Sequence, residues 1–381
     1  MPVYLDNNAT TMPDPRVVEA MLPFFHGCYA NPSSLHFPGQ QARHAVESAR
    51  ERIAGLLGAR PPEVVFTAGA TESNHLAILG LAGARPRHRH IITTAVEHEA
   101  VLGPVGMLEA RGYRVTRLGV DAAGRLDPAQ FEAALDDDTA LASVMWANNE
   151  TGVIFPIHQL ARAAAARGVP LHVDAVQAVG RLPIDLAQLD VAALSFSAHK
   201  LHGPKGVGAL IVRRGVRLEP LMVGGGQERR LRPGTENVPG AVGLAEALAL
   251  ALATLAEDRP RIAGLRDRLE RAILEAVPAA RTLGDPSSRL PNTACIGFRG
   301  LQAEALLMLL SDAGVCASSG SACSSGSLEP SHVLEAMGID EALAHGAVRF
   351  SLSRFTCPAD IELAVAATRQ AVARLQTIGV S

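Results

Sequence analysis

With 381 residues, 48% of them hydrophobic and 19% charged, the chain can bury a large core and is not of disordered composition. A formal charge of −3 gives no electrostatic case for nucleic acid, and the short basic cluster Arg85-Pro-Arg-His-Arg-His90 lacks interleaved aromatics and reads as a solvated turn. No basic stretch followed by an apolar core marks a secretory signal, and the longest apolar run, 241–256, is interrupted by Glu246 and reads as a buried helix rather than a membrane span.

In chain order, short β-rich runs alternate with longer helical patterns. Strands are predicted over 63–67, 90–94, 114–118, 140–146, 170–174, 192–197 and 207–213, with helices over 40–57, 71–82, 100–111 and 157–167. Strands separated by helices need crossover connections, which implies a mostly parallel sheet covered on both faces, an α/β fold. From about residue 238 the pattern changes to two long helical segments, 238–255 and 261–277. A strand over 293–298, a helix over 302–312, a Ser/Gly-rich loop over 317–327, a strand over 347–352 and a helix over 358–375 follow. These suggest a second, smaller domain.

Lysine occurs only at Lys200 and Lys205, although Lys and Arg together number 35. Arginine stays protonated, whereas a desolvated lysine can act as an amine nucleophile. Arginine-biased composition and a chemical requirement both account for the pattern. Lys200 falls at a strand end in Ser197-Ala-His-Lys200, and Lys205 falls in a Gly-Pro turn. In Phe66-Thr-Ala-Gly-Ala-Thr-Glu-Ser-Asn74, Thr71 is expected at a helix N-cap, where backbone N–H groups favour a phosphate; an ordinary capped helix is the alternative. Asp174 ends an apolar strand, on the edge where open α/β sheets place ligands, with Gln177 three residues on; a plain helix cap would also suit it. A lysine for a Schiff base, an acid for a pyridinium nitrogen and an anion cup on one sheet edge form the set that pyridoxal phosphate needs. His98, just past a strand, can stack on a flat ring and move protons near neutral pH, or serve structure.

Five cysteines, an odd number without a CxxC pair, argue against a disulfide framework and a cysteine zinc site and point to a reduced, cytoplasmic protein. Cys323, within the Ser/Gly loop, is the candidate mobile nucleophile, and the other four read as small packing residues. Arg349, a charge within a β-rich run, needs either a substrate carboxylate or an internal salt bridge.

Together the motifs Tyr4-Leu-Asp-Asn-Asn-Ala-Thr-Thr11, Gly69-Ala-Thr-Glu-Ser73, Trp146-Ala-Asn-Asn-Glu-Thr-Gly152, Asp174-Ala-Val-Gln177, His199-Lys-Leu-His-Gly-Pro-Lys-Gly206, Arg232-Pro-Gly-Thr-Glu-Asn237 and Ser318-Ser-Gly-Ser-Ala-Cys323 resemble the cysteine desulfurases of the class-V aminotransferase family. The NifS-like branch is the most similar, in order from residue 3 to about 375. The resemblance implies a type I pyridoxal-phosphate fold and a homodimer, with a large cofactor domain over 12–258 and a small α+β domain of 1–11 and 259–381 carrying the loop 317–327. Carried over by motif, Lys200 would hold the cofactor, Asp174 would pair with its ring nitrogen, Gln177 would bond its phenolic oxygen and His98 would stack on its ring. Ala70, Thr71, Ser197 and His199 would surround the phosphate, and Thr235 would reach the phosphate of the other subunit. Asn149, also beside the cofactor, and Arg349 would hold the substrate carboxylate. The implied reaction converts L-cysteine to L-alanine and leaves a persulfide on Cys323 for a sulfur acceptor or iron–sulfur scaffold protein; Cys323 is also a candidate ligand for a transient cluster. The alternative is a pyridoxal-phosphate selenocysteine lyase or aminotransferase. Ala68 and Ala198 replace a serine and a glycine frequent in the family, and Cys316 is not a usual family position.

Overall fold

The computed structural model describes residues 2–320 and 330–378. A seven-stranded sheet runs in the order Val64–Thr67, Gly208–Val212, Ala193–Ser197, Leu171–Asp174, Thr139–Met145, His90–Thr94, Arg114–Leu118. The last five strands are parallel, and Gly208–Val212 is antiparallel to both its neighbours. The connection 198–207 is too short for a crossover, so the chain can only return antiparallel. Strands 64–67, 90–94, 139–145, 171–174 and 193–197 are buried along their whole length, as expected of strands covered on both faces. Phe37–Leu57 and Val238–Ala253 pack together over one face, and Ala70–Ala84 packs with Glu99–Ala110 over the other.

A smaller antiparallel sheet runs in the order Ser318–Ser319, Ala347–Ser351, Thr293–Phe298, Ala280–Leu283. The helices Leu255–Ala276, Ala303–Asp312 and Pro358–Ile378 cover it around a separate core that includes Leu269, Phe298, Leu306, Phe350 and Ile361. Near the N-terminus, Val3–Tyr4 pairs parallel with Val315–Cys316, and Asp6 bridges to Ser351. The two chain ends therefore meet at the smaller sheet.

The predicted spans 90–94, 114–118 and 293–298 match the observed strands, and the other predicted strands agree to within a residue at each end. Leu255–Ala276 starts six residues earlier than expected, with Pro260 inside it. Pro260 lies past the first turn and so removes one backbone hydrogen bond, while Glu257 and Asp258 in the first turn favour a helix N-terminus at Leu255. No single helix among the described residues is long and apolar enough to cross a membrane. Val238–Ala253 and Leu255–Ala276 would suffice together by composition but are bent by 73°, and Leu244, Ala247 and Leu248 are buried in the protein core.

Beyond the sheet edge, Glu228, Arg229 and Arg230 have φ of 44°, 56° and 67°. A left-handed non-glycine residue costs about 1–2 kcal/mol. A buried ion pair offsets this cost. Arg50 donates to both Glu228 oxygens at 2.9 and 2.7 Å, and Phe66 N donates to Glu228 Oε2 at 2.9 Å.

Candidate active site

Strands Leu171–Asp174 and Ala193–Ser197 and the helix starting at Ala70 end at one cavity of about 930 Å³. Lys200, Asp174, His98, Gln177, Asn149, Arg349, Ala70, Thr71, Ser197 and His199 all line it. Sequence positions up to 279 residues apart (Ala70 to Arg349) are thus brought to one concave surface.

Lys200 is placed by a single 3-10 turn, Ala198–Lys200, at the end of its strand. Its Nζ donates to the carbonyls of Asn8 at 2.6 Å and Ala9 at 2.8 Å. Lys205 also lines the cavity from its turn. Asp174 is 6% exposed; Oδ2 accepts from Asn74 Nδ2 at 2.7 Å and Oδ1 from Val176 N at 3.0 Å. No helix directly follows Asp174, so its carboxyl caps a turn rather than a helix, and it lines the cavity. Burial pushes its pKa up, and the two hydrogen bonds hold it back.

The helix Ala70–Ala84 begins differently from expectation. Gly69, not Thr71, is the N-cap, no side chain caps the end, and Thr71 lies in the first turn. Glycine is required for the close approach here: a Cβ at Gly208 would lie 2.8 Å from Gly69 Cα. A Cβ at Gly69 itself would meet nothing nearer than Ser197 Oγ at 3.9 Å, so the backbone borders open space. The uncapped N–H groups thus face the cavity beside Ser197. Ala68 N donates to Glu72 Oε2 at 2.7 Å, and Arg232 Nε donates to Glu72 Oε1 at 2.9 Å. His199 is pushed down to about 4, by burial first and then by Lys200 and Lys205. Its neutral ring lies 3.2 Å from Thr10 Oγ1.

His98 is the N-cap of Glu99–Ala110, and its Nδ1 accepts from Ala100 N at 3.0 Å. In the neutral ring this assigns the proton to Nε2. The structural and cavity-facing expectations for His98 therefore coexist. Gln177 Nε2 donates to Asn8 O at 3.1 Å, and Gln177 Oε1 accepts from Arg181. Arg349, 2% exposed, donates through Nη1 to Asn149 O at 3.0 Å and through Nη2 to Asp6 Oδ1 at 2.8 Å. The internal salt bridge is present, and the guanidinium still borders the cavity.

Thr235 is exposed and does not line the cavity of its own chain. Cys323, both as nucleophile and as candidate cluster ligand, lies outside the described residues. No group of three or more His, Cys, Asp or Glu among the described residues could hold a metal ion. Cys28, Cys295, Cys316 and Cys357 are free. Cys295 fits the packing expectation, since burial pushes its thiol up to about 12. Cys357 does not, because it is exposed at the start of the final helix.

Several cavity residues were not singled out from the sequence: Asn74, Asn8, Ala9, Glu150 and His332. Asn8, Asn74 and Glu150 sit inside or beside quoted motifs. Their contacts to Lys200, Asp174 and Ser331 are long-range, and no local pattern announces them.

The family model described as aminotransferase class-V matches residues 3–363. A cysteine desulfurase 2 from Trichormus variabilis is 52% identical over 99% of this chain and 94% of its own length. A cysteine desulfurase NifS from Azotobacter vinelandii is 50% identical over the same shares. Among solved structures, a NifS-like protein superposes with a TM-score of 0.93 at 39% identity, over 98% of this chain and all of its own. The chain belongs to the class-V aminotransferase family of pyridoxal-phosphate enzymes, in its NifS-like cysteine desulfurase group.

Proposed function

We propose that the protein is a pyridoxal-phosphate-dependent cysteine desulfurase, converting L-cysteine to L-alanine and taking the sulfur onto Cys323 as a persulfide. The observation that carries this reading is the convergence of Lys200, Asp174, His98 and Arg349 on one cavity.

The residues fit the cofactor. A buried carboxyl whose donors, Asn74 and Val176, are neutral suits a protonated ring nitrogen, which would hold Asp174 ionised. The uncapped start of Ala70–Ala84, with Thr71, Ser197 and His199 beside it, suits a phosphate. Lys200 would make the covalent link, Gln177 would bond the phenolic oxygen and His98 would stack on the ring. Thr235 would complete the phosphate site of a second copy, and exposed Phe25, Tyr29, Leu35 and Phe37 offer that copy apolar surface. Residues 12–258 would form the large domain, and 1–11 with 259–381 the small one.

Bound pyridoxal phosphate supplies an electron sink for bonds at the substrate's Cα and Cβ. Arg349 and Asn149 hold the substrate carboxylate, which takes the place of Asp6 on the guanidinium. Lys200 Nζ, released from the Asn8 and Ala9 carbonyls, carries the proton at Cα. His98 Nε2 holds a proton at the cavity. The Cys323 thiolate attacks the substrate Sγ. A new S–S bond forms as Sγ–Cβ breaks, the electron pair stays with Cβ, and protonation there completes alanine. The persulfide sulfur then passes to an acceptor, an iron–sulfur scaffold protein being the class proposed. Mass spectrometry after incubation with L-cysteine tests this. One added sulfur is expected on the peptide containing Cys323, none in Lys200→Ala, and no alanine release in Cys323→Ala. Alanine released by Cys323→Ala would overturn the assignment in favour of a lyase or aminotransferase.

A further inference from the structure

We infer that Glu150 is a positioning residue for the sulfur-transfer half of the reaction: one buried carboxyl bonds the chain on one flank of residues 321–329, at Ser331, and packs against the other flank, at Gly320, beside the cavity of Lys200 and Arg349. The inference rests on the desulfurase reading and goes beyond it.

Glu150 is 3% exposed and lines the cavity. Its backbone is fixed locally, with Glu150 N and Thr151 N both donating to Asn148 Oδ1 at 2.9 Å. On one side, Ser331 Oγ donates to Glu150 Oε2 at 2.5 Å. Ser331 is the N-cap of His332–Ala336, and its Oγ accepts from Val333 N at 3.1 Å, so the bond to Glu150 sets where that helix starts. On the other side, a Cβ at Gly320 would fall 2.3 Å from the same Oε2. A larger residue at 320 would have to displace that carboxyl.

The two ends are also tied to groups that act in the reaction. Ser318 and Ser319, just before Gly320, pair with Arg349 and Val348 on the neighbouring strand. His332 Nε2 lies 2.9 Å from the carbonyl of Glu97, the residue before His98. One end is therefore registered against the carboxylate-binding arginine and the other against the ring-stacking histidine. Glu150 is in contact with both ends. Burial pushes the Glu150 carboxyl up from its ordinary value, and the Ser331 hydrogen bond pulls it back.

Neither the Ser331 bond nor the Gly320 approach involves an atom assigned to the cofactor or the substrate carboxylate, so their loss should fall on delivery of Cys323 to the substrate sulfur. A misplacement of about 1 Å can cost on the order of 100-fold in rate. A purely structural Glu150 would disturb binding and transfer together, and a positioning one separates them.

The test uses the cofactor-loaded enzyme and two readouts: the change in cofactor absorbance on adding L-cysteine, and the rate of persulfide formation on Cys323 by mass spectrometry. Glu150→Ala and Ser331→Ala are each expected to slow persulfide formation about 10- to 100-fold. The L-cysteine concentration giving half the absorbance change should stay within about threefold of wild type, well under the 1.4 kcal/mol that a tenfold change represents. The double variant should be no slower than Glu150→Ala, because both remove one hydrogen bond. Glu150→Gln keeps an oxygen for Ser331 and should recover most of the loss. Equal losses in both readouts, or an unchanged persulfide rate in Glu150→Ala, would overturn the inference while leaving the desulfurase reading intact. Wild-type enzyme that forms no persulfide would overturn both. Should Glu150→Ala fail to fold, Ser331→Ala breaks the same bond and carries the same comparison.

Discussion

The floor and the wall of the cavity are built on opposite plans. The floor consists of strand ends and a helix start, with Asp174 closing one strand, Ser197 closing the next and Lys200 one turn beyond. The backbone of each group is placed by its own element. The wall is assembled from Asp6–Ala9, Asn149–Glu150, Gly320, His332 and Arg349, stretches that meet only in the fold. Asn8 is its junction. Asn8 Nδ2 donates to Thr293 Oγ1 at 2.9 Å and Asn149 O at 3.1 Å, and Asn8 Oδ1 accepts from Asn292 Nδ2 at 2.9 Å. The floor places groups suited to bond chemistry, and the wall places groups that recognise and orient. Damage to the floor should abolish chemistry, whereas damage to the Asp6–Arg349 part of the wall should shift affinity and damage at Glu150 should slow sulfur transfer.

The largest effect is expected at the floor. Lys200→Arg cannot form the covalent link and should lower alanine release by about 10³-fold or more, while Lys205→Arg should cost less than about tenfold. Steady-state rates with L-cysteine, with the visible absorbance of each variant, separate the two. Comparable losses would mean that the turn contributes as much as the strand end.

The Asp6–Arg349 pair of the wall should respond in affinity. Asp6 is the anion that Arg349 holds in the absence of substrate, through a 2.8 Å bond. In Asp6→Asn the substrate carboxylate meets no competing charge, and KM for L-cysteine should fall severalfold, about 1 kcal/mol of binding, with kcat little changed. A rise in KM would show instead that Asp6 orients the guanidinium. The buried arginine also loses its counter-charge, so a stability loss of about 1–3 kcal/mol should accompany the change, measurable by denaturant unfolding.

The same division explains what was legible in the sequence. Strand ends announce themselves, because a polar residue closing an apolar run needs a reason to be there. Lys200, Asp174 and His98 stood out on that signal, with lysine scarcity added for Lys200, and the fold places all three at one cavity. Thr71 was misplaced by two positions because threonine is a good cap, whereas here the end is left open and glycine makes the approach. The Asp6 partner of Arg349 lies 343 residues away and the Ser331 partner of Glu150 lies 181 away, separations that no periodicity encodes. The sequence left Arg349 between a substrate contact and a salt bridge, and in the fold the salt bridge occupies the proposed substrate position. Even the resemblance, which covers nearly the whole chain, gives a role only to Asn149 and Arg349 of the wall and does not explain what holds them.

The smallest effect at neutral pH concerns how the floor is kept dry. His172 lies two residues before Asp174 on the same strand face. Its Nδ1 lies 2.8 Å from Ser143 Oγ and its Nε2 2.9 Å from Ser195 Oγ, linking three adjacent strands. Burial pushes it down to about 3, so the folded protein keeps it neutral. The unfolded chain takes up a proton near pH 6.5. The folded value lies below the unfolded one for a base, so stability is full above about pH 6.5 and falls as pH drops from there towards 3. The slope is about 1.4 kcal/mol per pH unit for this one group. His172→Gln does not titrate and should be less stable than wild type at pH 7.5, having lost part of the Ser143–Ser195 bridge. Below pH 6.5 the gap should narrow by about that slope. Glu97, pushed up to about 8 by burial, works in the opposite direction, and His199 and His202, both near 4, in the same direction. All three are common to both proteins and drop out of the difference. Urea unfolding of the pair between pH 7.5 and 5 measures it. A gap that stays constant would mean that His172 is charged within the floor, and the floor would then be a hydrated surface rather than a dry one.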